Sequence, residues 1–120
     1  MKPEYSKYRD LSYSQWHRTL SSKCYAMNLD WIEIRGNNIV AIIEEKDDRG
    51  SLSEWKKEIF LKIAYALDIP AYLTFHNCCM RDDHKELWKF RVINLKTNEI
   101  KIMNEKQYRE FLEKINNKNL

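Results

Sequence analysis

The chain has 120 residues, of which 43% are hydrophobic, 12% aromatic and 32% charged, a balance that excludes a disordered tail and leaves room for one domain with one core. Its formal net charge is +3, and no apolar run is long enough to cross a bilayer, so a cytoplasmic protein with no membrane partner is expected. The three cysteines, two of them adjacent at Cys78 and Cys79, make no disulfide framework and suit a reduced compartment.

Residues 1–11 read as a flexible arm on a single domain spanning 1–120. Ser12 with Gln15 forms a capping-box pattern, and Tyr13, Trp16, His17 and Leu20 share a helical face, which predicts a helix from Ser12 to about Ser22. Two runs rich in β-branched residues, Asn28 to Ile34 and Ile39 to Lys46, flank Gly36-Asn37-Asn38 and predict a hairpin. Ser51 with Glu54 opens a second helix, with Leu52, Trp55, Ile59 and Ile63 on one face and Phe60, Ala64 and Leu67 widening it; Pro70 limits it. A short strand, Ala71 to Phe75, is followed by a polar loop, His76 to Glu86. A second hairpin, Leu87 to Leu95 and Glu99 to Met103, turns at Lys96-Thr97-Asn98. Asn104 then caps a last helix whose Tyr108, Phe111, Leu112 and Ile115 repeat at helical spacing. The expected class is α/β, a mixed central sheet flanked by helices, in the order α-β-β-α-β-β-β-α. The four tryptophans fall on four elements at positions expected to face the core.

Charge is unevenly spread. Residues 1–27 carry +3, residues 28–54 carry −4 and residues 55–120 carry +4, and an acidic centre between basic flanks suits a protein that holds divalent cations against a polyanion. A three-residue turn over Gly36 to Asn38 would set Ile34 opposite Val40, Ile32 opposite Ile42 and Asp30 opposite Glu44. Opposed side chains stand about 5 Å apart at Cβ, and alternation returns Lys46 to the same face. Two carboxylates so placed at the end of an apolar face need a compensating charge. A divalent cation with oxygen ligands supplies one, and a nearby lysine can act on water or on developing phosphate charge. An exposed salt bridge among the same three residues is the bland alternative.

Asp30, followed by a hairpin and the apolar strand Ile39-Val40-Ala41-Ile42-Ile43 ending in Glu44-Glu45-Lys46, resembles the PD-(D/E)-x-K signature of the restriction-endonuclease-like nucleases. Tyr13-Ser14-Gln15-Trp16-His17-Arg18 and Asp30-Trp31-Ile32-Glu33-Ile34-Arg35 also resemble motifs of small nuclease-like proteins of microbial and phage genomes, and the likeness runs from about Leu11 to Phe75 and extends to the strand at Leu87 to Leu95. It implies a restriction-endonuclease-like core. It also implies a magnesium or manganese ion held by Asp30, Glu44 and the backbone carbonyl of Glu45, with Lys46 acting on the nucleophilic water. Where that superfamily often supplies a further acidic residue from the preceding helix, this chain offers Gln15 and His17, which stand as further catalytic candidates; His17 better suits a partly buried ring packed beside Trp16 and Leu20.

Lys56, Lys57, Lys89 and Arg91 are candidate nucleic-acid contacts. Glu33 and Arg35 fall on the opposite hairpin face and are expected outside catalysis. A zinc site at His76, Cys78, Cys79 and His84 is disfavoured, because adjacent cysteines lack ligand spacing. The expected function is a metal-dependent nuclease acting on DNA, with a homodimer needed for specific duplex recognition. The alternative is a catalytically inactive nucleic-acid-binding or assembly module with the same fold.

Overall fold

The computed structural model describes residues 12–21, 27, 29–77 and 87–117. The expected N-terminal arm and Cys78, Cys79 and His84 lie outside them. The elements are α1 (Ser12–His17), β1 (Trp31–Arg35), β2 (Asn38–Asp47), α2 (Glu54–Leu67), β3 (Ala71–His76), β4 (Lys89–Asn94), β5 (Ile100–Asn104) and α3 (Glu105–Asn117). The protein is α/β. Its strands form a mixed five-stranded sheet in sequential order, with β2 and β3 parallel and every other neighbouring pair antiparallel.

Strand alternation divides the core between two faces. On one, Ile42, Ala71, Leu73 and Phe75 pack against Phe60 and Ala64 of α2. On the other, Ala41 and Val40 meet Ile115, while Phe90, Val92 and Met103 meet Tyr108 and Phe111, all from α3. The α3 stripe is the one its periodicity predicts. Asn104 caps it, and reciprocally: the Gln107 N–H donates to Asn104 Oδ1 and the Asn104 N–H donates to Gln107 Oε1, both at 2.8 Å.

The expected boundaries shift where local chemistry competes. α1 ends at His17, not near Ser22, because the Thr19 hydroxyl and N–H both donate to the Trp16 carbonyl, the competition with helical bonding that threonine offers. α2 is capped by Ser53, whose Oγ accepts the Lys56 N–H, and not by Ser51. It closes on Asp68 in the left-handed region, with the Ile69 N–H donating to the Ala64 carbonyl. The tryptophans do not all face the core: Trp16 is 56% exposed and Trp55 45%. Helix α2 meets the sheet along Phe60 and Ala64, flanked by Leu61 and Ile63, so Trp55 and Leu67 fall outside the contact. No helix among the described residues is long and apolar enough to cross a membrane.

Candidate functional site

The first hairpin sets the site. Its turn is two residues, Gly36 and Asn37, with Gly36 at a φ of 59°, and Arg35 pairs with Asn38; glycine at the first central position suits a tight hairpin turn. A bulge between Glu33 and Ile34 then inserts one extra residue, Val40. The shorter turn and the bulge cancel, so Trp31 still pairs with Ile43 and Ile32 with Ile42, as the three-residue turn predicted for this end. At the tip the expectation fails: Ile34 pairs with Ile39, and Val40 buries itself against Ile115 on the opposite face.

Asp30 lies just before β1, one position beyond the last pair, and its Oδ2 accepts the Glu45 N–H at 3.1 Å. The N–H and C=O of a strand residue leave on the same side, so the Glu45 carbonyl also faces the Asp30 edge of β2. Glu44 is 4% exposed. Its Oε1 stands 3.7 Å from Lys46 Nζ, and its Oε2 is buried with no hydrogen-bond partner among the described residues. Burial and then the neighbouring Asp30 carboxylate push the Glu44 carboxyl up to about 7, against the opposing pull of Lys46 and Lys56.

Lys46 is held from below. A Cβ at Gly50 would stand 2.9 Å from Lys46 Cβ and 3.3 Å from its Cδ, so the turn closed by the Gly50 N–H on the Asp47 carbonyl leaves glycine's space to the lysine stem. Two neighbouring carboxylates, an orphaned buried oxygen and an adjacent carbonyl fit a hard cation. No group of three or more His, Cys, Asp or Glu side chains capable of holding a metal is present among the described residues. That donor set suits magnesium, which takes one or two carboxylates and keeps waters, better than an ion that needs a full protein cage.

Strand alternation puts Lys89 and Arg91 on the Lys46 face: Lys46 pairs with Phe75, and Phe75 in turn pairs with Arg91, whose guanidinium lies 4.3 Å above the Phe75 ring. Lys56 in the first turn of α2 adds charge close enough to act on Glu44, a role its sequence position alone did not assign. Lys57 Nζ instead donates to Asn98 Oδ1 at 3.4 Å. Gln15 is exposed on α1, and His17 makes a ring contact with Tyr13 at 6.2 Å; neither hydrogen-bonds Asp30, Glu44 or Lys46 among the described residues. The Glu45 side chain points to the other face, where Oε1 lies 2.7 Å from His76 Nε2 and Oε2 accepts the Trp31 indole N–H at 3.2 Å. Only the parallel pairing of β2 with β3 reveals that neighbour. Arg35, also on that face, donates from Nη1 to the Asn116 carbonyl of α3. No protein-family model, curated protein or solved structure matches the chain.

Proposed function

We propose that the protein is a metal-dependent nuclease that hydrolyses phosphodiester bonds, with DNA as first substrate and a restriction-endonuclease-like core. The observation that carries this reading is the buried, unpartnered Oε2 of Glu44 beside Asp30, with Lys46 at 3.7 Å from the other oxygen. Asp30, Glu44 and the Glu45 carbonyl would hold magnesium or manganese. When bound, the cation supplies Lewis-acid chemistry and positive charge opposite phosphate. The Lys46 ammonium would orient the attacking water and meet charge developing on the phosphate. Lys56, Lys89 and Arg91 on the same face would bind the backbone and make affinity salt-dependent. A homodimer would present two such faces to a duplex.

The test is a cleavage panel of labelled single-stranded, duplex, flapped and four-way DNA and of RNA, with magnesium, manganese or chelator. Chelator-sensitive cleavage lost in Asp30→Ala, Glu44→Ala and Lys46→Ala, and kept in the α3 surface variant Glu110→Gln, is the expected result. Cleavage that persists in chelator, or in those three variants, overturns it. Salt-sensitive binding with no cleavage under any condition would favour a binding or assembly module.

A further inference from the structure

A cleft of about 320 Å³ lies on the α3 face of the sheet, opposite the Glu44 site. Its walls are aromatic. Phe90 and Tyr108 stack with centroids 4.1 Å apart and 12° between planes, and the half-exposed Trp31 indole forms another wall. The Tyr108 hydroxyl donates to Thr74 Oγ1 at 3.4 Å.

Three titratable groups besides that tyrosine line the cleft: Glu33, Glu45 and His76. Glu45 is already engaged by His76 and by the Trp31 N–H. His76 lies between two acceptors, because its Nδ1 is 3.1 Å from the Asn77 carbonyl while Nε2 faces the Glu45 carboxylate. An imidazole donates from both nitrogens only as the imidazolium, so His76 neutralises Glu45 when it is protonated. Glu33 remains. It is half-buried in the same cleft and has no hydrogen bond or ion pair among the described residues. Burial raises the Tyr108 hydroxyl pKa, the Thr74 bond opposes this, and the charges of Glu33 and Glu45 raise it further, which sets both carboxylates within electrostatic reach of that ring.

We infer that this cleft binds a small organic ammonium, a protonated amine on an apolar body, with its charge at Glu33 and its body against Tyr108, Phe90 and Trp31. A half-buried carboxylate gains most from a cation that is itself partly desolvated, and aromatic faces attract the same charge. The cleft lies within the size range of small-molecule sites. Its two glutamates, with at most one cation from His76, leave it net negative, which disfavours phosphate and carboxylate ligands and separates it from the cation-rich face on the other side of the sheet.

The probes are phenethylammonium, the neutral phenethyl alcohol and the anionic 3-phenylpropionate, titrated into the full chain while the Trp31 indole resonance is followed by NMR. Phenethylammonium should bind at least about tenfold more tightly than the alcohol, and phenylpropionate should not bind. Glu33→Gln should lose at least about tenfold of the ammonium affinity while binding the alcohol as before, which also shows the cleft intact. Leu112→Trp, which fills the cleft from α3, should block both. Equal affinity for ammonium and alcohol, no shift at Trp31, or undiminished ammonium binding in either variant overturns the assignment.

Discussion

Glu44 and Glu45 are consecutive residues of β2 with the same side-chain chemistry and opposite circumstances. Glu44 faces α2, is buried, and leaves one oxygen unpartnered beside Asp30. Glu45 faces α3, is partly exposed, and has a partner on each oxygen. The difference shows how a strand separates two tasks: alternation gives each carboxylate its own face, and the neighbouring strands decide which is neutralised from within the fold. A carboxylate with both oxygens engaged by the fold adds to stability, whereas one with a buried oxygen left without a hydrogen bond is available to a cation and is costly until that cation arrives.

The largest expected effect is on cleavage. Asp30→Ala, Glu44→Ala and Lys46→Ala should each lower the rate by at least about 100-fold, with substrate affinity largely retained because Lys56, Lys89 and Arg91 remain. Single-turnover cleavage and a binding titration on the same variants check this, and a variant that cuts within a few-fold of the parent removes that residue from the site.

Next is the stability of metal-free protein. The Glu44 carboxyl is raised from 4.5 to about 7, so the folded chain holds this proton more tightly than the unfolded chain. The favourable contribution is complete below about 4.5 and is lost as pH rises to about 7. At about 1.4 kcal/mol per pH unit this amounts to about 3 kcal/mol. Glu44→Gln should therefore be more stable than the parent at pH 8 without metal, by an amount of that order, and should lose both the slope and the stabilisation by magnesium or manganese. Denaturant melts across pH decide it; a parallel decline in both proteins would mean that the Glu44 proton does not set the slope.

Gly50→Ala should act through Lys46. A methyl 2.9 Å from Lys46 Cβ forces the stem aside, an overpacking that costs about 1–3 kcal/mol, and cleavage should fall about tenfold at unchanged substrate affinity. An unchanged rate would show that Lys46 has no fixed position to lose.

The smallest effect belongs to Glu45. Burial lowers the His76 pKa, but the Asn77 carbonyl and the Glu45 carboxylate, with Asp47 behind them, outweigh it and raise it above 6.5. The pair's stabilisation is present below about 6.5 and is lost as pH rises through the raised value. Glu45→Gln should reduce that loss by the Glu45 share, worth up to about 1 kcal/mol for a partly exposed pair, while the Asn77 and Asp47 contributions remain. NMR titration of the His76 ring, shifted to lower pH in Glu45→Gln, is the direct measurement; an unmoved midpoint would dissolve the contrast between the two glutamates.

The sequence by itself determined what depends on near neighbours. β-branched runs around Gly36, the Glu44-Glu45-Lys46 ending and the spacing of Tyr108, Phe111, Leu112 and Ile115 identify the hairpin, the shared face of Asp30, Glu44 and Lys46, and the packing stripe of α3, because alternation and helical periodicity are local geometry. The α/β class with a mixed sheet follows from the same patterns. The hairpin register near Asp30 was legible only because a shorter turn and a bulge compensate, and the tip, where they do not yet cancel, was misread at Val40. Tertiary structure alone decided the rest: that β3 lies parallel to β2 and brings His76 to Glu45, that α2 brings the Lys56 charge to Glu44, that Trp16 and Trp55 stand exposed, and that Glu33 finds no partner among the described residues in an aromatic cleft. Each of these depends on contacts between residues distant in the chain, and only the packing of sheet and helices selects such contacts from the many that local patterns allow.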